Sequence, residues 1–298
     1  MRERTNTDAS RLGSTPVNDM AKGGVKSAER ALAILELLTQ HERPLTFTEI
    51  ARTLRYPRSS LHGLLRTLVD RGWAEFDPTH RSYTLGIRTL EAGNAYSRSL
   101  GLVERALPLM ERIRDTLDET VHLAVLDGVH NVYIAKVDGR QTLTLASEVG
   151  RRLPAYATGV GKVLLAGLPP EELDARLHQM DLVPITSRTI TDKDKLRRHL
   201  ALVRQRGFSV DNEEYTLGIR CLAVPVYDVH RRTVAALSVS VPAIRFTPAH
   251  RQRAHLLLVD AAYRLSAALG FRGGTRAPAG DELSATTGYG HDQVSTRS

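Results

Sequence analysis

The sequence predicts an α+β fold in two domains. A small helical domain closed by a β-hairpin comes first, and a larger domain of helices around an antiparallel sheet follows. Apolar residues recur at helical spacing in the first third of the chain, whereas from Val121 onward several short stretches alternate as strands do. The 298 residues are also enough to bury two hydrophobic cores.

The composition of the chain indicates what kind of partner it suits and excludes some kinds of site. The chain has 41 Lys and Arg against 33 Asp and Glu, a net charge of +8. This excess suits a polyanion, although it is also a common means of staying soluble. The single cysteine, Cys221, excludes an internal disulfide and a cysteine-based zinc site. No apolar run has membrane-spanning length and no secretion signal is visible, so we expect a cytoplasmic protein without membrane contacts.

The two ends of the chain predict disorder. Residues 1–24 are polar without apolar periodicity, and residues 271–298 are rich in Gly, Ala, Ser and Thr. After the first tail, an amphipathic helix opens at Ser27, has Leu32 among its inward positions and ends before Pro44. This helix begins an N-terminal domain over residues 25–85.

The rest of that domain predicts two short helices and a hairpin. The first helix has Thr46 or Thr48 as its N-cap. Pro57 ends it, because proline cannot continue the hydrogen-bond ladder, and also suits the start of the next helix. An Asp77-Pro78 turn then joins two short strands.

The second of these helices leaves basic and short polar residues opposite its leucines. We call this set the recognition face: Arg58, Ser59, Ser60, His62, Gly63 and Arg66. Such a helix, presented by a preceding helix, is typical of helix-turn-helix DNA-binding domains, although a solvated helix pair explains it equally well. The hairpin favours the first interpretation, since His80 and Arg81 lie at its tip like a wing on phosphate. We therefore predict a winged helix-turn-helix, with Thr46 also near DNA.

A linker helix over residues 86–101, weakened by Gly93, leads to a second domain over residues 102–270. That domain predicts five helices, at Leu102–Glu119, Val163–Leu168, Glu171–Met180, Asp192–Arg206 and Phe246–Leu269. It also predicts five strands, at Val121–Leu126, Val132–Val137, Leu143–Ala146, Leu222–Tyr227 and Thr233–Val241. Helices mixed with an antiparallel meander indicate an α+β domain.

The Thr158–Lys162 stretch, TGVGK, superficially looks like a phosphate-binding loop. That motif requires a glycine at Tyr156 and a Ser or Thr at Val163, so it fails at both ends. Small residues at a helix N-terminus still leave free N–H groups that suit a carboxylate. Close packing of helix on sheet explains the two glycines equally well.

Other candidate residues are weaker. Asp211–Glu214 contains paired acids, but no histidine stands at ligand spacing nearby, so we favour a capping or solvated loop over a metal or catalytic site. Ser238 and Ser240 share one face of a strand, which orients a polar ligand if that face is inward and is merely solvated if it is outward. Cys221 is typical of a small buried residue. The sequence predicts no catalytic residue, no metal site and no cofactor.

Three stretches together resemble the isocitrate-lyase-regulator (IclR) family of transcriptional regulators. They are VKSAERALAILELL, then LTFTEIARTLRYPRSSLHGLLRTLVDRGW, and LPAYATGVGKVLLA together with DNEEYTLGIRCLAVPVYD and VAALSVSVP. The resemblance runs from Val25 to about Leu269. It implies a winged helix, a linker helix and a GAF-like effector domain with a mixed or antiparallel sheet, assembled as a homodimer or dimer of dimers on palindromic double-stranded DNA operators.

The resemblance also implies an effector pocket for a small organic acid. Its residues would be Leu143 and Leu145 as apolar wall, Gly159 and Val160 through their N–H groups, and Asp211, Cys221, Ser238 and Ser240. Two positions depart from the family pattern. Gly63 replaces a larger polar side chain, which suggests a different operator, and Val160 replaces alanine, which narrows the pocket.

We therefore expect a ligand-responsive DNA-binding regulator of an operon for organic or aromatic acids, and a repressor rather than an activator. One alternative is an enzyme or ligand-binding module whose N-terminal domain contacts proteins. A second alternative is a nonspecific nucleic-acid-binding protein.

Overall fold

The computed structural model describes residues 25–140 and 148–273, which form two compact units that divide between Ala95 and Tyr96. The predicted tails lie outside the described residues, except that residues 271–273 are described and Phe271 stacks on Tyr227 at 5.3 Å between ring centroids. Among the described helices, none is both long and apolar enough to cross a bilayer.

The N-terminal unit is a winged helix-turn-helix, as predicted. Its elements are α1 (Lys26–Thr39), β1 (Leu45–Thr46), α2 (Phe47–Leu54), α3 (Arg58–Asp70), β2 (Ala74–Asp77) and β3 (Ser82–Leu85). The strands form an antiparallel sheet in the order β1-β3-β2. The two-residue strand β1 was not predicted. Helix α4 (Ile87–Leu100) follows and contains the boundary between the two units.

Local signals explain where α2 and α3 begin and end. Thr46 is the N-cap of α2, and its hydroxyl and backbone N–H form a reciprocal capping box with Glu49. Arg55 ends α2 in the left-handed conformation, at φ 54°, and Pro57 directly precedes α3. The prediction for Leu32 is wrong, because this side chain is 58% exposed. Two residues before buried Ile34, it lies on the opposite side of α1.

The second unit has helices on both faces of an antiparallel sheet. Its helices are α5 (Leu102–Leu117), α6 (Gly159–Ala166), α7 (Pro170–Gln179), α8 (Lys193–Arg206) and α9 (Pro248–Ala268). Its strands are β4 (Thr120–Asp127), β5 (His130–Val137), β6 (Arg152–Pro154), β7 (Ser209–Asn212), β8 (Ile219–Tyr227) and β9 (Thr233–Pro242), in the order β6-β5-β4-β9-β8-β7. The sheet is antiparallel throughout the described residues.

Each face of this sheet covers a different core. Leu123 of β4 and Leu237 of β9 belong to the core shared with α5 and α9. Ala124, Ala223 and Ala236 belong to the core on the other face, shared with α6, α7 and α8. Small side chains on that second face allow a helix to approach closely, and all eight residues of α6 are buried.

Several predicted elements of this unit need correction. Helix α6 begins at Gly159 rather than Val163, because Thr158 caps it through the N–H of Gly161 at 3.0 Å. The edge strands β6 and β7 were missed, and the acids from Asp211 onward, which we expected in a capping or solvated loop, begin inside β7. The predicted strand at Leu143–Ala146 lies outside the described residues.

Two helical glycines should respond oppositely to alanine. At Gly161, an added Cβ would lie 2.2 Å from the backbone oxygen of Ala155, so we expect Gly161→Ala to destabilise the protein by about 1–3 kcal/mol or more. At Gly63 an added Cβ meets no atom within 4 Å, so Gly63→Ala should stabilise α3 by roughly 0.5–1 kcal/mol. Chemical denaturation measures the free energy of unfolding of both variants. Equal effects at the two positions would contradict this account of α6 packing.

Candidate DNA interface and effector site

The recognition face lies on the outer side of α3. Arg58, Ser59, His62, Gly63 and Arg66 are exposed and Ser60 is half-buried, while Leu61, Leu65 and Leu68 are buried beneath them. The first turn of α3 has no acidic residue. Its free N–H groups and the positive end of the helix dipole therefore face solvent together with Arg58, which suits a phosphate.

Two of the predicted contact residues already have partners within the unit. The hydroxyl of Ser60 accepts a hydrogen bond from Arg30 Nη1 of α1 at 3.3 Å, and the same guanidinium lies 5.2 Å from the centre of the Tyr56 ring. The hydroxyl of Thr46 donates to Glu49 Oε2 at 2.8 Å. Both side chains thus help to hold the helix pair together.

The wing is the turn between β2 and β3. Asp77 Oδ1 accepts hydrogen bonds from the N–H groups of Thr79 and His80, at 2.7 and 3.2 Å. His80 Nδ1 lies 2.6 Å from Asp77 Oδ2, and this contact with His80 is the main cause that lowers the pKa of Asp77. Arg81 adopts a positive φ of 49°, and both His80 and Arg81 are exposed at the tip. The turn therefore presents two basic side chains to solvent.

The second unit brings most of the predicted effector residues to one face of its sheet. Asp211 of β7 pairs with Cys221 of β8, which pairs with Ser240 of β9, so the three side chains project to the same side. Ser238 lies two residues before Ser240 on β9, opposite His122 of β4, and so projects to the same side. Both serines are buried. The outward, solvated alternative for this pair of serines is therefore wrong.

The N-terminus of α6 lies on this same face. A Cβ added to Gly159 would lie 3.5 Å from the Cβ of Cys221, in ordinary contact. Thr158 accepts from Gly161, which leaves the N–H groups of Gly159 and Val160 without a partner inside the helix. Thr158 also donates to Asn131 Oδ1 at 2.7 Å, which ties the start of α6 to β5.

A buried ion pair that the sequence did not predict connects α6 to the turn after strand β7, and its lysine also bonds to the strand itself. The side chain of Lys162 is fully buried, and its ammonium donates to the backbone oxygen of Val210 at 3.0 Å and to the carboxylate of Glu214. The N–H of Glu214 donates in turn to Asp211 Oδ1 at 2.7 Å. Asp211 and Glu214, which we expected in a capping or solvated loop, are thus part of a buried polar network, whereas Glu213 is half-buried and accepts from the N–H of Gly218 at 3.0 Å, as a capping residue does.

Burial shifts the pKa values of two groups in this network. Burial raises the pKa of Asp211 to about 7, against the opposing effect of Lys162. Burial lowers the pKa of His122 to about 3, so its imidazole is neutral at neutral pH. The hydroxyl of Ser240 lies 3.2 Å from Cys221 Sγ and 3.5 Å from His122 Nδ1, which continues the network across the sheet. This arrangement places two serine hydroxyls and a neutral imidazole on the sheet face where the free amides of α6 lie.

Two of the predicted effector residues, Leu143 and Leu145 of the apolar wall, lie outside the described residues. Burial raises the pKa of the Cys221 thiol, which does not favour a nucleophile. In the described part of the chain, no group of three or more His, Cys, Asp and Glu side chains is arranged to hold a metal ion.

Family models match both units. The model of the IclR helix-turn-helix domain matches residues 27–78, and that of the bacterial transcriptional regulator IclR C-terminal domain matches residues 94–267. The chain belongs to the IclR family. Its members among the curated relatives are transcriptional regulators and not enzymes, which excludes the enzyme alternative.

Two relatives are similar in sequence over most of this chain. The HTH-type transcriptional regulator BhcR of Paracoccus denitrificans is 36% identical over 82% of this chain and 87% of its own length. The transcriptional repressor IclR of Escherichia coli is 31% identical over 84% and 92%.

Two solved structures are also similar to this chain. A transcriptional regulator from Rhodococcus superposes with a TM-score of 0.73 at 34% identity, covering 83% of this chain and 98% of that one. An IclR homologue from Microbacterium hydrocarbonoxydans, complexed with 4-hydroxybenzoate, gives 0.73 at 26% identity, over 82% and 98%.

Three residues of these sites, Lys162, His122 and Arg30, are not marked by any local sequence motif. Lys162 was considered only as part of a phosphate loop, although a lone charge within an apolar helix is itself a sign of a buried partner. His122 stands in an alternating strand, on the same face as Ser238. Arg30 lies in the first half of α1, and nothing near it in sequence indicates its contact with Ser60 of α3. Each contact joins residues far apart in sequence.

Breaking the buried ion pair should be costly. We expect Lys162→Met to lower the free energy of unfolding by roughly 3–5 kcal/mol, because Glu214 is left buried with an uncompensated charge. The matched control is Arg264→Met, which removes an exposed pair with Asp260 at 3.0 Å and should cost less than about 1 kcal/mol. Urea denaturation measures the free energy of unfolding of each variant. Similar losses in the two variants would show that the buried pair stabilises the protein no more than the exposed pair does.

Proposed function

We propose that this protein represses an operon by binding its operator through α3 and the wing, and that a small organic acid bound in the second unit controls this affinity. The observation that carries the effector proposal is the meeting of the α6 N-terminus with Asp211, Cys221 and Ser240 on one buried sheet face. The Escherichia coli relative is a transcriptional repressor, which supports repression.

In this proposal α3 lies in the major groove. Arg58 and Arg66 contact phosphate or guanine, Ser59 and His62 contact base edges, and His80 and Arg81 on the wing contact the backbone. Gly63 permits close approach of DNA. A homodimer or dimer of dimers would match a palindromic site, since two-fold symmetric proteins bind two half-sites. A DNA partner also implies action in the cytoplasm.

The effector chemistry follows from the donors available. A carboxylate would accept from the N–H groups of Gly159 and Val160, where the dipole of α6 favours negative charge. Ser238, Ser240 and neutral His122 offer hydrogen bonds to a keto or hydroxyl group. The Microbacterium homologue that binds 4-hydroxybenzoate supports an aromatic acid, and a short keto acid meets the same donors. A bound acid would shift the protein between conformations of different operator affinity.

Removing one cation of the recognition face should weaken operator binding. We expect Arg66→Ala to reduce affinity for the DNA upstream of the protein's own gene by about 1–3 kcal/mol, roughly 5- to 150-fold. Arg112→Ala, an exposed arginine of α5, is the matched control and should leave affinity unchanged. Binding is measured at fixed salt with random DNA as competitor. Binding that random DNA abolishes would favour a nonspecific nucleic-acid-binding protein.

Effector affinity should depend on the proton of Asp211. Below pH 7 this carboxyl is mostly neutral, and above pH 7 its charge repels a bound carboxylate, so affinity for 4-hydroxybenzoate should fall above pH 7, by at most about tenfold per pH unit for the one proton involved. Asp211→Asn should remove this dependence, and the uncharged 4-hydroxybenzyl alcohol should show none in the wild type. Calorimetric titration between pH 6 and 8.5 tests this. A pH-independent wild type would place the carboxylate away from Asp211.

A further inference from the structure

The aromatic ring of Phe47 lies against two side chains of the recognition face. The guanidinium carbon of Arg58 is 6.0 Å from the ring centre, within reach of a cation–π interaction. The ring of His62 is 6.4 Å away between centroids and tilted by 55°, as in many aromatic pairs. One ring of α2 thus contacts two side chains of α3.

The positions of these residues in the fold make the contact reproducible. Phe47 is the first residue of α2, directly after the Thr46 capping box, and packs against the core of the N-terminal unit. Its ring is therefore fixed by the domain rather than free in solvent. Arg58 and His62 are four residues apart on α3, so they project side by side.

The charge of Arg58 stays available for DNA. Within the part of the chain that the structure describes, Arg58 forms no ion pair, whereas Arg66 lies 3.7 Å from Asp70. An aromatic face holds a guanidinium without neutralising it, unlike a carboxylate. His62 likewise has no polar partner among the described residues, so both of its ring nitrogens can contact DNA.

We propose that Phe47 is a positioning residue that orders Arg58 and His62 for contact with DNA. Arginine loses considerable rotamer freedom when it is fixed at an interface, and an arginine already held against a ring loses less. Phe47 itself need not touch DNA. This inference rests on the proposed role of α3 as the recognition helix.

The test is a mutant cycle on operator affinity in the full-length protein. Phe47→Met keeps apolar volume but removes the ring, and Phe47→Tyr keeps the ring. Each is made in the wild type and in an Arg58→Ala, His62→Ala background. The probe is the DNA fragment upstream of the protein's own gene, at fixed salt, and the thermal midpoint of each variant is recorded.

In the wild-type background we expect Phe47→Met to weaken binding by about 3- to 10-fold and Phe47→Tyr by less than about twofold. In the doubly substituted background, Phe47→Met should have no further effect. If Phe47→Met fails to fold, Phe47→Leu takes its place in the same cycle.

Equal weakening by Phe47→Met in both backgrounds would overturn the proposal, because the ring would then act only through the stability of the domain. Unchanged binding by Phe47→Met in the wild type would also overturn it. If the double Arg58→Ala, His62→Ala variant binds the operator as well as wild type, the role of α3 as proposed fails first, and the inference fails with it.

Discussion

The second unit depends on how closely α6 lies on the antiparallel sheet. Gly159 lies against Cys221 and Ala223 of β8, and Gly161 has no room for a side chain because the backbone of Ala155, in the turn that leads from β6 into α6, occupies that space. Directly after it, Lys162 extends to the carboxylate of Glu214 and the carbonyl of Val210, so an ion pair inside the domain fixes α6 to the edge strand β7. The start of the helix, with its free amides, is thereby held over Asp211, Cys221 and Ser240. If α6 moved outward by one side chain, these groups would no longer face a common space.

In the N-terminal unit, contacts between helices constrain the recognition face of α3. The side chains of the recognition face are arranged by neighbours on other helices and not only by α3. Arg30 of α1 holds Ser60, and Phe47 of α2 contacts Arg58 and His62. The hydrophobic core beneath α3 fixes the axis of the helix. These polar and aromatic contacts fix the directions of its outward side chains, which is what recognition of a base sequence requires.

Local signals made the N-terminal unit predictable. A proline after a short amphipathic helix and an Asp-Pro turn determine its elements, and both act over a few residues. The second unit was harder because its partners are distant. Glycine's low helix propensity hid the true start of α6. Strand β7 is four residues long and ends in polar residues, so no alternation marks it. The alternation of Ser238 and Ser240 shows that they share one face of β9 but not whether that face is buried. The pairing of β9 with β8 and β4 decides this.

The strand order has a consequence for synthesis of the protein. The centre of the larger sheet pairs β4 with β9, whose residues are separated by more than a hundred positions along the chain. The helices and strands of the winged helix-turn-helix are all complete once residue 85 has been made, whereas the larger sheet must wait for β9, the last of its six strands, and its core for α9. A nascent chain can therefore complete its DNA-binding fold well before its ligand-binding fold. If the second unit binds an effector as proposed, a chain that ends before β9 keeps its winged helix-turn-helix but lacks the strand that carries Ser238 and Ser240.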